Sequence, residues 1–275
     1  MLSLKELFHT EASRRTKEDY EYIFDLFVEF AGGKRLTEVV SVPDAVKNAD
    51  YVFLNTLQPL IIELKQINRY DNTQSPESYF MSLVSNGEVK NYSQISSSIV
   101  KITPDSLSTS QWNHFYKKFR PAVSRHLDKA SIQLRQSAPL IVRDSNDVRS
   151  GIILANTGDF NMPVDLMFRL TEYHCKKKWK EGQFGFVDFV LCLSVDMIKE
   201  NELISQPRLL VRNIKDEALV ASLQYIFDRW IHYVAEAMDA KVEYVVGSIV
   251  DPPLKVSEPI MGKIAFGAWH CASHR

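Results

Sequence analysis

Cysteine is scarce in this sequence, and the positive and negative charges nearly cancel. Three cysteines, Cys175, Cys192 and Cys271, occur among 275 residues. So small and odd a number provides no disulfide framework, and we expect reduced, mostly buried thiols. Lysine and arginine number 33 against 34 acidic residues, a net charge of −1. Proteins that bind nucleic acid alone usually carry a strong positive excess, so any such binding depends on where the basic residues lie.

Membrane, export and nucleotide-binding signals are also missing. No apolar run approaches the roughly 18 residues that a membrane helix needs. The N-terminus, with Lys5, Glu6 and His9, lacks the apolar core of a signal peptide. Neither of the glycine-rich phosphate-binding motifs of ATP and NAD proteins occurs. We therefore expect a soluble, cytoplasmic protein without a membrane partner, and nothing indicates ATP or NAD.

The sequence has enough apolar residues for a complete core, since 45% of them are hydrophobic. A chain of this length can form one large domain or a core with an elaborated insertion. We favour a single domain over residues 1–275.

The stretch from Asp50 to Lys65 predicts a β-hairpin. Residues 51–54 and 60–67 are mainly apolar and β-prone, and residues 55–58 suit a turn. The second run is interrupted by polar side chains at alternating positions, as in a strand with two different faces.

Counting along the hairpin brings two acids and a lysine together. If Leu54 pairs with Pro59 across a four-residue loop, Asp50 lies opposite Glu63. Because strand side chains alternate between faces, Asp50, Glu63 and Lys65 share one face. Two neighbouring carboxylates suit Mg²⁺, and an adjacent ammonium can hold or activate an attacking water. The alternative is an exposed hairpin face with a surface salt bridge of little energetic value.

Asp50 followed by Glu63-Leu64-Lys65 resembles the signature of the PD-(D/E)xK phosphodiesterase superfamily, the restriction-endonuclease-like nucleases. Ala49 stands where the family name has proline. The resemblance implies Mg²⁺, with Mn²⁺ as a substitute, bound by Asp50, Glu63 and the Leu64 carbonyl. It also implies that Lys65 orients or activates the water, that DNA is the substrate, and that a homodimer or a partner subunit forms.

Two other acid-x-Lys triplets test how specific this signature is. Glu88-Val89-Lys90 lies in a polar region without a preceding apolar run, and Asp239-Ala240-Lys241 lies where a helix is expected to end. Only Glu63 lies inside a convincing strand pattern.

Residues 16–31 predict an amphipathic helix that a glycine pair ends. At about 100° per residue, Glu21 falls on the border of the apolar stripe, whereas Glu18, Asp25 and Glu29 point further towards solvent. The resemblance implies that Glu21 helps to bind the metal or its water. The alternative is an acid that satisfies the helix dipole.

A second helix is predicted over residues 121–137, limited by Pro139. The resemblance implies that Gln133 of this helix points towards the site, and the alternative is a solvated glutamine. Five basic residues bunch in the same part of the chain, with Asp128 as the only acid among them: Lys117, Lys118, Arg120, Arg125 and Lys129. Together with nearby aromatics they suit phosphate binding and base stacking, or else form a solvated helix face whose aromatics belong to the core.

The remaining pattern predicts strands at 36–42, 150–155, 184–195 and 242–250 and helices at 163–176 and 217–237. This order favours an α/β fold with a mixed central sheet flanked by helices. It agrees with a restriction-endonuclease-like αβββαβ core carrying an insertion at about 68–118 and a C-terminal extension at about 200–275.

Three functional hypotheses follow. The first is a metal-dependent nuclease that hydrolyses phosphodiester bonds. The second keeps the fold without the catalysis, as a nucleic-acid-binding or interaction subunit of a defence or repair complex. The third is an unrelated fold with accidental spacing, which Asp50 and Glu63 on separate faces would establish.

Overall fold

A computed structural model of the chain describes residues 4–10, 14–41, 43, 47–67, 76–88, 93–94, 100–101, 108–141, 148–157, 162, 164–195, 198–199, 202–203, 207–238, 240–243, 262–264 and 270–273. Its helices are Leu4–His9 (α1), Lys17–Phe30 (α2), Leu36–Val39 (α3), Pro76–Ser85 (α4), Thr109–Phe119 (α5), Pro121–Ile141 (α6), Val164–Lys180 (α7) and Glu217–Ala237 (α8). Its strands are Lys34–Arg35 (β1), Tyr51–Phe53 (β2), Leu60–Ile67 (β3), Ser93–Gln94 (β4), Val100–Lys101 (β5), Arg149–Asn156 (β6), Phe189–Ser194 (β7), Ile198–Lys199 (β8), Glu202–Leu203 (β9), Arg208–Val211 (β10), Ala240–Glu243 (β11), Gly262–Ile264 (β12) and His270–Ser273 (β13).

The main sheet is mixed and open, in the order β1-β2-β3-β6-β7-β10-β12. Strands β3, β6 and β7 run parallel, and the flanking pairs are antiparallel. The three parallel strands are buried along most of their length. Parallel strands of this kind need cover on both faces, and helices supply it. The predicted α/β class with a mixed sheet flanked by helices is confirmed.

Each face of the sheet has its own apolar core. One contains side chains of α1, α2 and α8, where Phe24 stacks on Trp230 with ring centroids 5.3 Å apart. The other contains side chains of α5, α6 and α7. Ile62 and Leu64 of β3 belong to the first core and Ile61 to the second. By alternation, Glu63 lies on the face that α6 covers.

Local signals explain the confirmed helices. Thr16 caps α2, accepting a hydrogen bond from the Asp19 amide while the Asp19 carboxylate accepts one from the Thr16 amide. Helix α8 matches the predicted range, and the Asp216 side chain caps its first turn. Helix α6 runs past Pro139 to Ile141. The prediction that this proline limits the helix was wrong, because so close to the end it removes only one backbone hydrogen bond.

Other predicted elements need correction. Residues 36–41, the described part of the strand predicted at 36–42, do not form a strand: the strand before the hairpin is the two-residue β1, and Leu36 begins the short helix α3. The Leu36 amide donates to the Asp50 carbonyl at 3.0 Å, a tertiary contact invisible to local periodicity. Strand β7 starts only at Phe189. Phe184, in the preceding turn, and Val187, just after that turn, are buried without belonging to the strand. The strand predicted at 242–250 begins at Ala240 and is described only to Glu243, and residues 244–250 lie outside the described residues.

The thiols of Cys175 and Cys192 are buried and unpaired, as expected, whereas the side chain of Cys271 lies outside the described residues. In the described part of the chain, no helix combines the length and apolarity required to cross a bilayer.

Gly151 in β6 permits a close approach to Phe189, its partner across the sheet. A Cβ atom at Gly151 would lie 2.5 Å from the Phe189 ring. We expect Gly151→Ala to lower the free energy of unfolding by about 1 to 3 kcal/mol, because the buried ring must shift. Gly185→Ala is the control, since no atom lies within 4 Å of a Cβ there, and should change it by less than about 0.5 kcal/mol. Urea denaturation measures both, and equal midpoints would contradict this packing.

Candidate active site

The register of the hairpin is the predicted one. Tyr51 pairs with Ile62 and Phe53 with Leu60, and the same count places Asp50 opposite Glu63. Asp50 stands immediately before β2, and Glu63 lies inside β3. The condition that would have established accidental spacing, two acids on separate faces, is therefore not met.

Glu63 is the most buried charged group of the site. Its side chain is 0% exposed, and Oε1 forms an ion pair with the Lys65 ammonium, whose side chain is 18% exposed. Burial and the neighbouring charge of Asp50 raise the pKa of Glu63 to about 8, against the opposing effect of Lys65. This burial rules out the exposed hairpin face with a surface salt bridge.

The second carboxylate oxygen of Glu63 has no hydrogen-bond partner among the described residues, although the backbone of Asp50 lies close enough to the carboxylate to lower its pKa. Oε2 is buried and makes no hydrogen bond to any residue that the structure describes. An unsatisfied buried oxygen on an acid costs free energy and needs an explanation, such as a bound cation. Oε2 of Glu63 is therefore a candidate ligand atom.

Asp50 contributes the second carboxylate, and its side chain also accepts a backbone hydrogen bond from β3. Its Oδ2 accepts a hydrogen bond from the Leu64 amide at 2.8 Å. Within a strand the amide and carbonyl of one residue point to the same side, so the Leu64 carbonyl faces the edge that carries Asp50. Asp50 is exposed as a residue, but partial desolvation of its carboxyl raises the pKa of that group. The hydrogen bond from the Leu64 amide and the charge of Lys65 oppose this rise.

Gln133 reaches the site from α6, where the resemblance implied it. Its Oε1 accepts a hydrogen bond from Lys65 Nζ at 2.8 Å, and its Nε2 donates to the Asn48 carbonyl at 3.0 Å. One turn along the helix, the Ser137 hydroxyl accepts from the Ala49 amide at 2.6 Å. Helix α6 thus fixes both the lysine and the chain that leads into Asp50.

Glu21 lies at the margin of the site. Its charge helps to raise the pKa of Asp50, which indicates proximity. The carboxylate is partly exposed and pairs with Lys17 at 2.7 Å, one turn earlier on α2. Glu21 therefore lies near Asp50 with Lys17 as its direct partner, and its role at the metal stays a prediction.

Asp25 was wrongly predicted to point towards solvent. It is half-buried, accepts a hydrogen bond from the Tyr51 hydroxyl at 2.9 Å, and forms an ion pair with Arg35. No sequence pattern singles out Arg35, because its strand is only two residues long and has no readable periodicity. Arg35 lies close enough to Asp50 for its charge to lower the pKa of that carboxyl.

Helix α6 also turns two basic or titratable side chains towards Lys65. Lys129 lies one turn before Gln133 and His126 two turns before it, so these residues share a helix face. Burial lowers the pKa of His126, and the charges of Lys65 and Lys129 lower it further. His126 was not among the predicted site residues, and only its spacing from Gln133 signalled a place near the site.

The other predicted nucleic-acid-binding residues extend away from this face. Lys117, Arg120 and Arg125 are exposed, like Lys129. Lys118 is half-buried, with its ammonium 5.4 Å from the ring centroid of Tyr79. The nearby aromatics at 115, 116 and 119 are buried in the core, so they are not available to stack on bases.

The described residues contain no cluster of three or more His, Cys, Asp and Glu side chains arranged for metal binding. Asp50 and Glu63 supply only two such side chains, and the third candidate ligand, the Leu64 carbonyl, belongs to the backbone. The unsatisfied Oε2 of Glu63 and the oxygen-only chemistry of the set do fit Mg²⁺, which takes few protein ligands and keeps several waters.

Neither models of protein families, nor curated proteins, nor solved structures match this chain. Function must therefore be argued from the geometry around Asp50, Glu63 and Lys65.

Proposed function

We propose that this protein is a metal-dependent nuclease that hydrolyses phosphodiester bonds, with DNA as its substrate, by a PD-(D/E)xK mechanism. The observation that carries the proposal is the buried, unsatisfied Oε2 of Glu63, beside a second carboxylate and a lysine. A buried carboxylate oxygen without a hydrogen-bond partner suits a site that a cation completes.

Asp50, Glu63 and the Leu64 carbonyl would hold Mg²⁺, or Mn²⁺ in its place. When bound, the ion supplies Lewis-acid activation of a phosphoryl oxygen and of water. The protein's own contribution is to hold two acids in fixed positions, with Glu63 buried and Asp50 partly exposed. The Leu64 amide orients Asp50, and the burial of Glu63 excludes bulk water.

Lys65 would orient the attacking water and offset the negative charge that develops on the phosphorus centre. Gln133 and Glu63 both bond the ammonium, so its position is set before substrate arrives. Such preorganisation is where electrostatic stabilisation has most of its effect, because no rearrangement is needed during the reaction.

The order of elements supports a restriction-endonuclease-like core. Helix α2, strands β1, β2 and β3, helix α6 and strand β6 follow one another in the αβββαβ sequence, apart from the short α3 and the elements between β3 and α6. Lys129 lies one turn before Gln133 on α6 and is exposed, so a cation stands on the helix surface beside the site. Such a cation suits contact with the phosphate backbone.

Cleavage of supercoiled plasmid and of single-stranded DNA by the purified protein tests the proposal. We expect cutting with Mg²⁺ or Mn²⁺ and none with EDTA, because the acids alone do not activate water sufficiently. If neither substrate is cut with either ion, the nuclease proposal is wrong, and the non-catalytic binding subunit becomes the better hypothesis.

Metal binding has a readout that does not depend on catalysis. A saturating ion that binds only the folded chain should raise the thermal midpoint by about 5 °C. We expect this shift in the wild type and its loss in Asp50→Asn, as followed by circular dichroism with Mg²⁺ or Mn²⁺. Glu88→Gln is the matched control, since exposed Glu88 belongs to another acid-x-Lys triplet and should leave the shift unchanged. Equal shifts in all three proteins would mean that the ion binds elsewhere.

A further inference from the structure

Arg35 stands beside Asp50 on the opposite side from Lys65. It ends β1 and pairs with Tyr51, the residue after Asp50. Lys65 belongs to β3, on the other side of β2. The Leu36 amide bonds to the Asp50 carbonyl at 3.0 Å, which holds the chain around Arg35 against Asp50.

The guanidinium of Arg35 is held by Asp25, whose carboxylate is held in turn by a second hydrogen bond. Asp25 of α2 pairs with Arg35 through Oδ2 and accepts the Tyr51 hydroxyl through Oδ1 at 2.9 Å. Burial and the Asp25 charge raise the pKa of Tyr51, so its hydroxyl stays a donor. Three elements, α2, β1 and β2, therefore position a single cation.

Part of the Arg35 side chain faces solvent. The Arg35 side chain is 52% exposed. Among the described residues, Asp25 is its only hydrogen-bond acceptor, and it takes one of the guanidinium nitrogens. An arginine carries five N–H donors in a planar fork that matches the oxygens of a phosphate. The remaining donors are free to bind an anion next to Asp50.

We propose that Arg35 binds a non-bridging oxygen of a substrate phosphate and so positions the DNA strand across the site. This inference rests on the proposed nuclease function and names a residue of its substrate contact. A held guanidinium loses little freedom on binding, and a charge-assisted fork fixes orientation as well as distance. By alternation Arg35 lies on the face of the sheet that α2 covers and Lys65 on the face that α6 covers, so the two cations flank Asp50 from opposite faces.

The test compares Arg35→Gln with three other variants. Lys215→Gln removes the same charge from an exposed side chain in the turn before α8, away from β1 and β2. Asp25→Asn removes the anchor but keeps the guanidinium, and Arg35→Lys keeps the charge but not the fork. Plasmid cleavage gives kcat/KM, and duplex binding in EDTA across a salt series gives the dependence of affinity on salt. Circular dichroism checks that each variant folds.

We expect Arg35→Gln to lower kcat/KM on the order of 100-fold, Arg35→Lys and Asp25→Asn less, and Lys215→Gln not at all. The salt dependence of duplex binding should fall by about one charge in Arg35→Gln alone. If Asp25→Asn and Arg35→Gln lose equal activity, Arg35 serves only the ion pair and the inference is wrong.

The outcomes separate this inference from the proposed function. Cleavage by the wild type with unchanged kinetics in Arg35→Gln overturns the role of Arg35 and leaves the nuclease intact. Absence of cleavage by the wild type overturns the nuclease. Duplex binding then decides about Arg35: an unchanged salt dependence in Arg35→Gln overturns the phosphate contact, and a reduced one supports it.

Discussion

Asp50→Asn is expected to reduce metal-dependent cleavage on the order of 1,000-fold while leaving the fold in place. Asparagine keeps a side-chain oxygen that accepts the hydrogen bond from the Leu64 amide, so this amide of β3 retains its acceptor. What it removes is a negative ligand for the ion. Plasmid cleavage with Mg²⁺ and Mn²⁺ measures the loss, and thermal denaturation shows whether stability has changed.

The comparison with Asp50→Ala separates two roles of this side chain. Alanine removes the ligand and also leaves the Leu64 amide without its acceptor, which costs about 1 to 3 kcal/mol if the amide is shielded from water. We expect both variants to be inactive and only Asp50→Ala to be destabilised. Wild-type cleavage by either variant would contradict the metal site.

Lys65→Met is expected to cause a comparable loss of cleavage, because methionine has similar length and no charge. Here stability should fall too, since Glu63 loses its ion-pair partner in a buried position. Breaking a buried pair from one side costs about 3 kcal/mol. This differs from the expectation for an exposed polar face, on which removal of the lysine would cost little.

A double variant distinguishes catalysis from stability in this pair. Glu63→Gln/Lys65→Met removes both charges together, and we expect it to be more stable than Lys65→Met in urea denaturation. Cleavage should stay absent in both variants. If the double variant regained activity along with stability, the loss in Lys65→Met would have been a folding effect, and Lys65 would have no catalytic role.

The sequence was sufficient for the hairpin because its rules are local. Loop length fixed the pairing of Asp50 with Glu63, and the period of two fixed the shared face. Gln133 was found only through a resemblance, since nothing in the helix pattern distinguishes it from a solvated glutamine.

Arg35 and Asp25 escaped prediction for a physical reason. A strand of two residues has no period, and the short helix after it depends on a hydrogen bond to the Asp50 carbonyl, fourteen residues away in sequence. Asp25 lies on the helix side that a helical wheel assigns to water, yet Tyr51 of β2 and Arg35 of β1 cover it from two neighbouring strands. Contacts between distant segments decide such positions, and one sequence does not encode them in a readable pattern.

The hydrogen bond from Leu64 to Asp50 constrains how this protein could change over evolutionary time. A lineage that no longer needed the chemistry would still need an acceptor at position 50 for the strand amide. Drift there would favour asparagine or serine over alanine, whereas position 65 would be free to change only together with position 63. An inactive descendant would therefore be recognised by paired loss at 63 and 65 beside a retained polar residue at 50.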